Sequence, residues 1–309
     1  MSRSFDELLS RVRDLEIKKL SVAVAQDASV MEAVELARRE GIAAPILVGD
    51  RERIEEIADG LDIDLTKGYE ILDKKDDEEA AAAAVKLVHD GDADMYMKGS
   101  LESKLFLKSV LDRDVGLRTG RPLSHVCVFE IPGIDRLLFL TDAAFIPYPT
   151  LEDKKVMIGY TAEIARACGV EMPKVAVLAA VETVNEKMPV TVEAAELTRL
   201  NEAGEIKGCI VDGPLSMDLA IDPSAAEYKP GAKDRKIVGD ADILLFPDIH
   251  AGNLVYKTLV RTCNARNGNI LTGTGSPVIL TSRSDTVDVK FNSIAIAAVA
   301  AGSKGGLVP

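Results

Sequence analysis

The stretch Ser276-Pro277-Val278-Ile279-Leu280-Thr281-Ser282-Arg283-Ser284-Asp285 runs directly into T-V-D-V-K-F-N-S-I-A-I-A-A-V-A-A over residues 286–301. The apolar P-V-I-L reads as a buried strand, T-S-R-S-D as a polar knot, and the long apolar run after it as a helix. Strand, polar junction and helix in that order are the unit from which layered α/β proteins are built. Ser282 with Asp285 three residues on has the spacing of a capping box, which accounts for both as structure. Capping needs no arginine. A strand that ends in Ser-Arg and opens a helix offers free backbone N–H groups, the positive end of a helix dipole and a guanidinium fork, which together suit a phosphate or carboxylate.

The same grammar extends outward through the chain. Leu20–Val24, Pro45–Val48 and Ala93–Met97 read as strands, with one further short strand at Y-E-I-L (residues 69–72). Between them lie helices capped at Asp27 or Ser29 and stopped at Gly41, over Glu52–Ala58 and stopped at Gly60, and over Asp76–His89, where acidic residues lead into five alanines. Glu102–Leu111 follows as a helix. Alternation of this kind predicts parallel strands with crossover helices, and places ligand sites beyond the carboxyl ends of the strands. Leu123–Ile131 and Arg136–Thr141, joined by P-G-I-D, read instead as an antiparallel hairpin.

Alternation then resumes, with helices over Leu151–Cys168, Thr191–Glu202 and Ala251–Cys263 and strands over Val175–Leu178, Cys209–Val211 and Ile243–Phe246. D-G-P-L (Asp212 to Leu215) reads as a turn at a strand end, ahead of a short helix over Leu215–Ile221. P-D-I-H-A-G-N (Pro247 to Asn253) reads as a strand–turn–helix junction, in which Gly252 permits close backbone approach and Asn253 caps the helix or contacts a ligand. L-R-T-G-R (Leu117 to Arg121) sets Arg118 and Arg121 in a glycine loop that suits phosphates or simply faces solvent.

Composition narrows the function classes. The chain has 309 residues, 47% hydrophobic and 28% charged, so it can bury the core of a two-domain protein. A net charge of −13 argues against a general nucleic-acid or anionic-membrane surface, but not against one small anion held at short range. The N-terminus has no apolar signal core and no apolar stretch approaches the ~20 residues of a membrane span, so the expected location is the cytoplasm. Cys127, Cys168, Cys209 and Cys263 form no C-x-x-C pair and read as buried free thiols. His89, His125 and His250 form no H-E-x-x-H motif, so no metal site is expected. Neither G-x-G-x-x-G after a strand nor G-x-x-x-x-G-K-[ST] occurs. Anion binding and group transfer are what the strand-end loops suggest.

Taken together, S-V-A-V-A-Q-D, A-D-M-Y-M-K-G, V-G-L-R-T-G-R with S-H-V, R-L-L-F-L-T-D, K-G-C-I-V-D-G-P-L, Y-K-T-L and P-V-I-L-T-S-R resemble the phosphate acetyl/butyryltransferase family over essentially the whole chain, leaning to its butyryl branch. The resemblance implies the reaction acyl-CoA + phosphate = acyl phosphate + CoA, by direct attack in a ternary complex. Coenzyme A is then a substrate and no cofactor is permanently bound. It also implies two α/β/α layered domains, each with a mostly parallel sheet, in an isocitrate dehydrogenase-like fold with the active site in the cleft. The expected domains are 1–132 plus 275–309, and 133–274. A homo-oligomer is implied by family alone.

By the same resemblance, Ser282 holds the CoA sulfur or the tetrahedral oxyanion and Arg283 the phosphoryl group. Asn253, Gly252, Asp212, Lys108, Arg118 and Arg121 are the expected substrate-binding residues. The sequence departs from the family in two places. The acetyltransferases carry an Asp base seven residues after the Ser, where this chain has Val289, although Asn292 still matches. Asp288 and Asp285 are the nearby carboxylates. A CoA-binding Arg of the family is Lys108 here, which keeps the charge and loses the fork. Two other readings fit parts of the sequence: a dehydrogenase on a related fold, which lacks its metal cluster here, and a non-catalytic acyl-CoA binding protein.

Overall fold

The computed structural model describes residues 2–302, an α/β protein with mostly parallel strands. The chain separates into two compact units: Asp6–Arg121 with Gly268–Pro309, here the first unit, and Met1–Phe5 with Pro122–Asn267, the second.

The first unit opens with α1 (Phe5–Arg13), β1 (Lys18–Ala23), α2 (Ala28–Arg39), β2 (Ala43–Gly49), α3 (Arg51–Gly60), β3 (Glu70–Asp73), α4 (Asp77–His89), β4 (Met95–Lys98) and α5 (Ser103–Val110). Aspartates set the helix starts. Asp27, Asp50 and Asp76 accept the N–H groups of Val30, Glu52 and Glu79 at 3.0, 3.1 and 3.0 Å. Gly41 ends α2 with a left-handed φ of 70°. Gly60, read as the stop of α3, lies inside that helix, and the left-handed turn falls to Asp62 at φ 55°. β1 pairs in parallel with β2 and β4, bringing Val22 opposite both Leu47 and Met97.

The second unit contains β5 (Ser124–Glu130), β6 (Leu137–Thr141), α6 (Leu151–Ala167), β7 (Lys174–Leu178), α7 (Pro189–Glu202), β8 (Ile210–Leu215), α8 (Met217–Ile221), β9 (Ile243–Leu245) and α9 (Ile249–Thr262). Its strands follow the order β5-β6-β9-β7-β8. Only the β5–β6 hairpin is antiparallel within this set. The expected turn at D-G-P-L is not a turn. Asp212 to Leu215 lie within β8, paired to β7 through a register shift. β8 ends the strand order of its unit, and an edge position tolerates the missing Pro214 N–H. Phe129, Leu138, Leu140, Leu244 and Phe246 form the centre of this unit's core.

The chain returns to the first unit through β10 (Arg266–Thr272), β11 (Val278–Ile279) and α10 (Val287–Gly302), giving the strand order β3-β2-β1-β4-β11-β10 there. β10 falls in R-N-G-N-I-L-T, which gave no strand signal because Asn and Gly are poor strand formers. β11 is only two residues long, antiparallel to β10 and parallel to β4. Every residue of α10 from Lys290 to Ala300 is buried, the polar Lys290, Asn292 and Ser293 included. A Cβ at Gly268 would come within 2.9 Å of the backbone of Asn292 and Ser293, so glycine there lets α10 lie close to β10. The Ser293 hydroxyl accepts the Asn269 N–H at 2.8 Å across that contact.

Cys127, Cys168 and Cys209 are buried free thiols as expected, whereas Cys263, at the C-cap of α9, is half-buried. No helix among the described residues is long and apolar enough to cross a membrane.

Candidate active site

Three parallel strands of the first unit, β1, β4 and β11, release their carboxyl ends side by side. After β1, Val24 adopts φ 54° and Asp27 caps α2. After β4, Gly99 and Ser100 donate their N–H groups to Ala23 and Val24 carbonyls at 2.9 and 2.8 Å. A Cβ at Gly99 would stand 2.2 Å from the Val24 oxygen, so only glycine fits the junction. After β11 comes the Ser-Arg stretch.

That stretch is a closed turn rather than a helix start. α10 begins at Val287, five residues beyond Ser282, and Thr286 Oγ1 accepts the Val289 N–H at 3.3 Å. The capping-box spacing is used differently: Asp285 Oδ2 accepts the Ser282 N–H at 2.8 Å, while the Asp285 N–H donates to the Ser282 carbonyl at 3.1 Å. Ser282 and Arg283 are exposed at its tip. Ser282 Oγ lies 3.1 Å from Ser284 Oγ, and Arg283 Nη2 donates to the Ser100 carbonyl at 3.4 Å, which ties the β11 exit to the β4 exit. Asp288 is exposed in the first turn of α10, and Val289 is half-buried.

Two cations beside this turn were given no role from the sequence. Lys98, the last residue of β4, is 4% exposed, and Lys290 on α10 is 2% exposed. The Lys98 ammonium donates to the Gly99 carbonyl at 3.4 Å, and the Lys290 ammonium donates to the Asp285 carbonyl. Burial, followed by the charge of Arg283, pushes Lys98 below the ordinary lysine range; Asp27 and Asp285 oppose the shift and Lys290 adds to it. The signal available in the sequence was a lysine inside the apolar runs M-Y-M-K and V-K-F.

The glycine loop belongs to the same unit. The Leu117 carbonyl accepts the Gly275 N–H at 2.9 Å and Thr119 Oγ1 donates to the Gly273 carbonyl at 2.7 Å. Arg118 and Arg121 are exposed on this anchored loop. Lys108 stands apart on α5, ion-paired with Glu78 at 3.2 Å beside a cavity of about 170 Å³ lined by Ala81, Val85, Leu105 and Val115.

The remaining expected residues lie in the second unit. The first turn of α9 rests on the segment after β6. A Cβ at Gly252 would be 2.1 Å from the Asp142 carbonyl oxygen, and Asn253 Nδ2 donates to the Ala143 carbonyl at 2.9 Å. Asp142, at the end of R-L-L-F-L-T-D, is a further residue the sequence reading left without a role. It is 2% exposed and accepts the N–H groups of His125, Ala144 and Phe145 at 3.1, 2.7 and 2.8 Å. Asp212 is 4% exposed and fully engaged: Oδ1 pairs with Arg235 Nη2 at 2.8 Å, and Oδ2 accepts the N–H groups of Lys236 and Ile237 at 2.9 and 3.2 Å. The structure therefore gives its carboxylate a bracing task within the unit. Among the described residues no three His, Cys, Asp or Glu side chains are grouped to hold a metal ion.

Chemically, the first unit offers a hydroxyl, a guanidinium and two buried ammonium groups around one rigid turn, a set suited to an anionic substrate. The family model described as "Phosphate acetyl/butaryl transferase" matches residues 4–84 and 78–298. The phosphate butyryltransferase of Clostridium beijerinckii is 51% identical over 97% of this chain and 99% of its own length. The phosphate acetyltransferase of Thermotoga maritima is 44% identical over 91% and 95%. Among solved structures, a branched-chain phosphotransacylase from Enterococcus faecalis superposes with a TM-score of 0.79 at 32% identity, covering 92% of this chain and 98% of the other. The chain belongs to the phosphate acetyl/butyryltransferase family of acyltransferases.

Proposed function

We propose that this protein is a phosphate butyryltransferase, interconverting butyryl-CoA plus phosphate and butyryl phosphate plus CoA by direct attack in a ternary complex. A phosphate oxygen adds to the thioester carbonyl, the C–S bond breaks, and the proton that phosphate gives up ends on the departing CoA sulfur. In the reverse direction the thiol must lose that proton to attack. An alkyl thiol has a pKa of about 8.5, so a donor to the sulfur or a nearby base lowers the barrier.

The observation that carries the reading is the exposed Ser282-Arg283 tip held on a closed turn beside buried Lys98. Ser282 donates to the tetrahedral oxyanion or the CoA sulfur, and Arg283 neutralises the phosphoryl group. The proton acceptor is Asp288 or Asp285. Asn253 and Gly252 contribute to acyl-CoA binding, with Lys108, Arg118 and Arg121 drawn to the CoA phosphates. Asp212 supports the Arg235 loop. The reading includes an isocitrate dehydrogenase-like pair of α/β/α domains, with the substrates in the cleft, the boundaries expected above and no permanent cofactor. It also includes a homo-oligomer in the cytoplasm, the compartment of CoA metabolism.

Three relatives carry names with three different acyl groups, and one methylene is worth only about 1–3 kcal/mol of discrimination. The test is phosphate-dependent release of free CoA from acetyl-, propionyl-, butyryl- and isobutyryl-CoA. The highest kcat/KM on butyryl-CoA is expected. A maximum at acetyl-CoA makes the enzyme a phosphate acetyltransferase. Binding of acyl-CoA without turnover of any of them replaces the enzyme with a binding protein, the outcome that Val289 in place of the Asp would then explain.

A further inference from the structure

Lys98, Lys290 and Arg283 belong to one region of the first unit, and each places its charged group on a backbone carbonyl: Gly99, Asp285 and Ser100 respectively. None of the three forms an ion pair among the described residues, although the chain carries 50 acidic residues. Elsewhere in the same unit the contrast is clear. Buried Glu35 is matched by Arg38 and Arg39, at 2.7 and 2.5 Å. An ammonium taken out of water without a counter-charge is costly, and a neutral carbonyl compensates it only in part. Two such groups, 4% and 2% exposed, beside a third cation, form a cationic site on which Asp27 and Asp285 act without direct ion pairing.

The geometry around them is fixed rather than adaptable. Lys98 ends β4 against the Gly99 junction, where no Cβ fits. Lys290 is held against the turn that Asp285 closes, and α10, which carries it, is buried from Lys290 to Ala300. Resting on the functional reading above, we propose that Lys98 and Lys290 are phosphate-binding residues that complete, with Arg283, a three-cation cradle for the phosphoryl group. Compact ammonium groups serve as point charges to the phosphoryl oxygens, and the Arg283 fork fixes its orientation. The depressed proton affinity of Lys98 fits this role, since an anion seated beside it favours the charged form. The same chemistry could be met by the phosphates of CoA, and the kinetics separate the two sources.

The experiment compares wild type with Lys98→Met and Lys98→Arg in butyryl-CoA phosphorolysis, together with thermal unfolding with and without millimolar inorganic phosphate. Lys98→Met is expected to raise the KM for phosphate by about 10–100-fold, with the KM for butyryl-CoA changed less than about threefold, and Lys98→Arg to recover part of the loss. Without phosphate, Lys98→Met should melt at or above the wild-type temperature, because it removes a buried unpaired charge. The phosphate-induced rise in Tm seen in wild type should disappear. An unchanged KM for phosphate, or an increase confined to butyryl-CoA, overturns the proposal. So does a variant that melts lower without phosphate yet keeps its phosphate response, since Lys98 is then structural. If wild type releases no CoA, the functional reading fails, and the Tm response decides the cradle alone: present in wild type and lost in the variant supports it, absent from wild type overturns it. Lys98→Gln replaces Lys98→Met under the same criteria should the latter not fold.

Discussion

The carboxylate of Asp285 accepts the backbone N–H of Ser282 at 2.8 Å, and the Asp285 N–H is donated back to the Ser282 carbonyl at 3.1 Å. This reciprocal pair closes the turn whose tip presents Ser282 and Arg283. It also occupies one oxygen of a carboxylate that is a candidate for the thiol base.

The bracing and basic roles of Asp285 separate by substitution. Asp285→Asn keeps an oxygen to accept the Ser282 N–H and loses the charge, so kcat should stay within about threefold if the residue is a brace. Asp285→Ala opens the turn and should cost about 100-fold through misplacement of Ser282 and Arg283. Asp288→Asn in parallel assigns the base: a loss of about 10²–10⁴-fold in the CoA-to-acyl-CoA direction places the proton on Asp288. If Asp285→Asn falls as far as Asp285→Ala, the charge of Asp285 is what matters.

Gly252 is expected to be intolerant of even one methyl group. Its Cβ would stand 2.1 Å from the Asp142 carbonyl oxygen, a backbone atom that cannot rotate away. Gly252→Ala should therefore lever the first turn of α9 off the segment after β6, lengthen the Asn253–Ala143 bond and destabilise the protein by about 1–3 kcal/mol in urea unfolding. Gly60→Ala is the control. It sits in α3 with nothing within 4 Å of the new methyl and should be neutral or stabilising by about 0.5 kcal/mol.

These two sites show what the chain disclosed before it was folded. Strand and helix periodicity revealed the α/β alternation, since it is written in local apolar spacing, and Gly252 was legible as a close-approach glycine from its place between strand and helix. D-G-P-L misled because Gly and Pro read as a turn in any local window, whereas an edge position in a sheet is a property of the whole topology. β10 was hidden for the related reason that its Asn and Gly residues serve the packing of α10 rather than strand propensity. Ser282 and Arg283 were visible as chemistry. Lys98 and Lys290 showed only as lysines within apolar runs, because burial of a lysine is decided by partners distant in sequence.

The Glu35 network gives the first unit a defined acid response. Burial alone would raise the Glu35 pKa, but hydrogen bonds from Arg38, Tyr69 and Arg39 outweigh it and hold the carboxyl at about 2, against 4.5 for an unperturbed Glu. A folded pKa below the unfolded one means that protons bind preferentially to the unfolded chain. The stabilisation is therefore complete above about pH 4.5 and is lost as pH falls from there toward 2. Glu35→Gln should lower stability by up to about 3 kcal/mol at pH 7 and show a shallower stability loss than wild type between pH 5 and 3. Urea unfolding at stepped pH measures both, and parallel curves for the two proteins would remove Glu35 from the acid response.

Asp212 is expected to act through the loop it holds. Its two oxygens take Arg235 at 2.8 Å and the Lys236 and Ile237 amides at 2.9 and 3.2 Å, and Arg235 also donates to the Pro214 carbonyl at 3.0 Å. Asp212→Ala leaves the guanidinium without its counter-charge and two amides without an acceptor, which for a buried pair costs about 3–5 kcal/mol. Replacing both partners, Asp212→Ala with Arg235→Leu, should return part of that stability, because the uncompensated charge is gone. The kinetic consequence follows from the loop: Asp212→Ala should lower kcat and raise the KM for acyl-CoA together, and the double variant should recover stability more than activity. Unfolding in urea and steady-state kinetics on the same preparations decide between the roles. Unchanged stability with a raised KM for acyl-CoA alone would make Asp212 a direct substrate contact, one that gives up its Arg235 partner when the thioester binds.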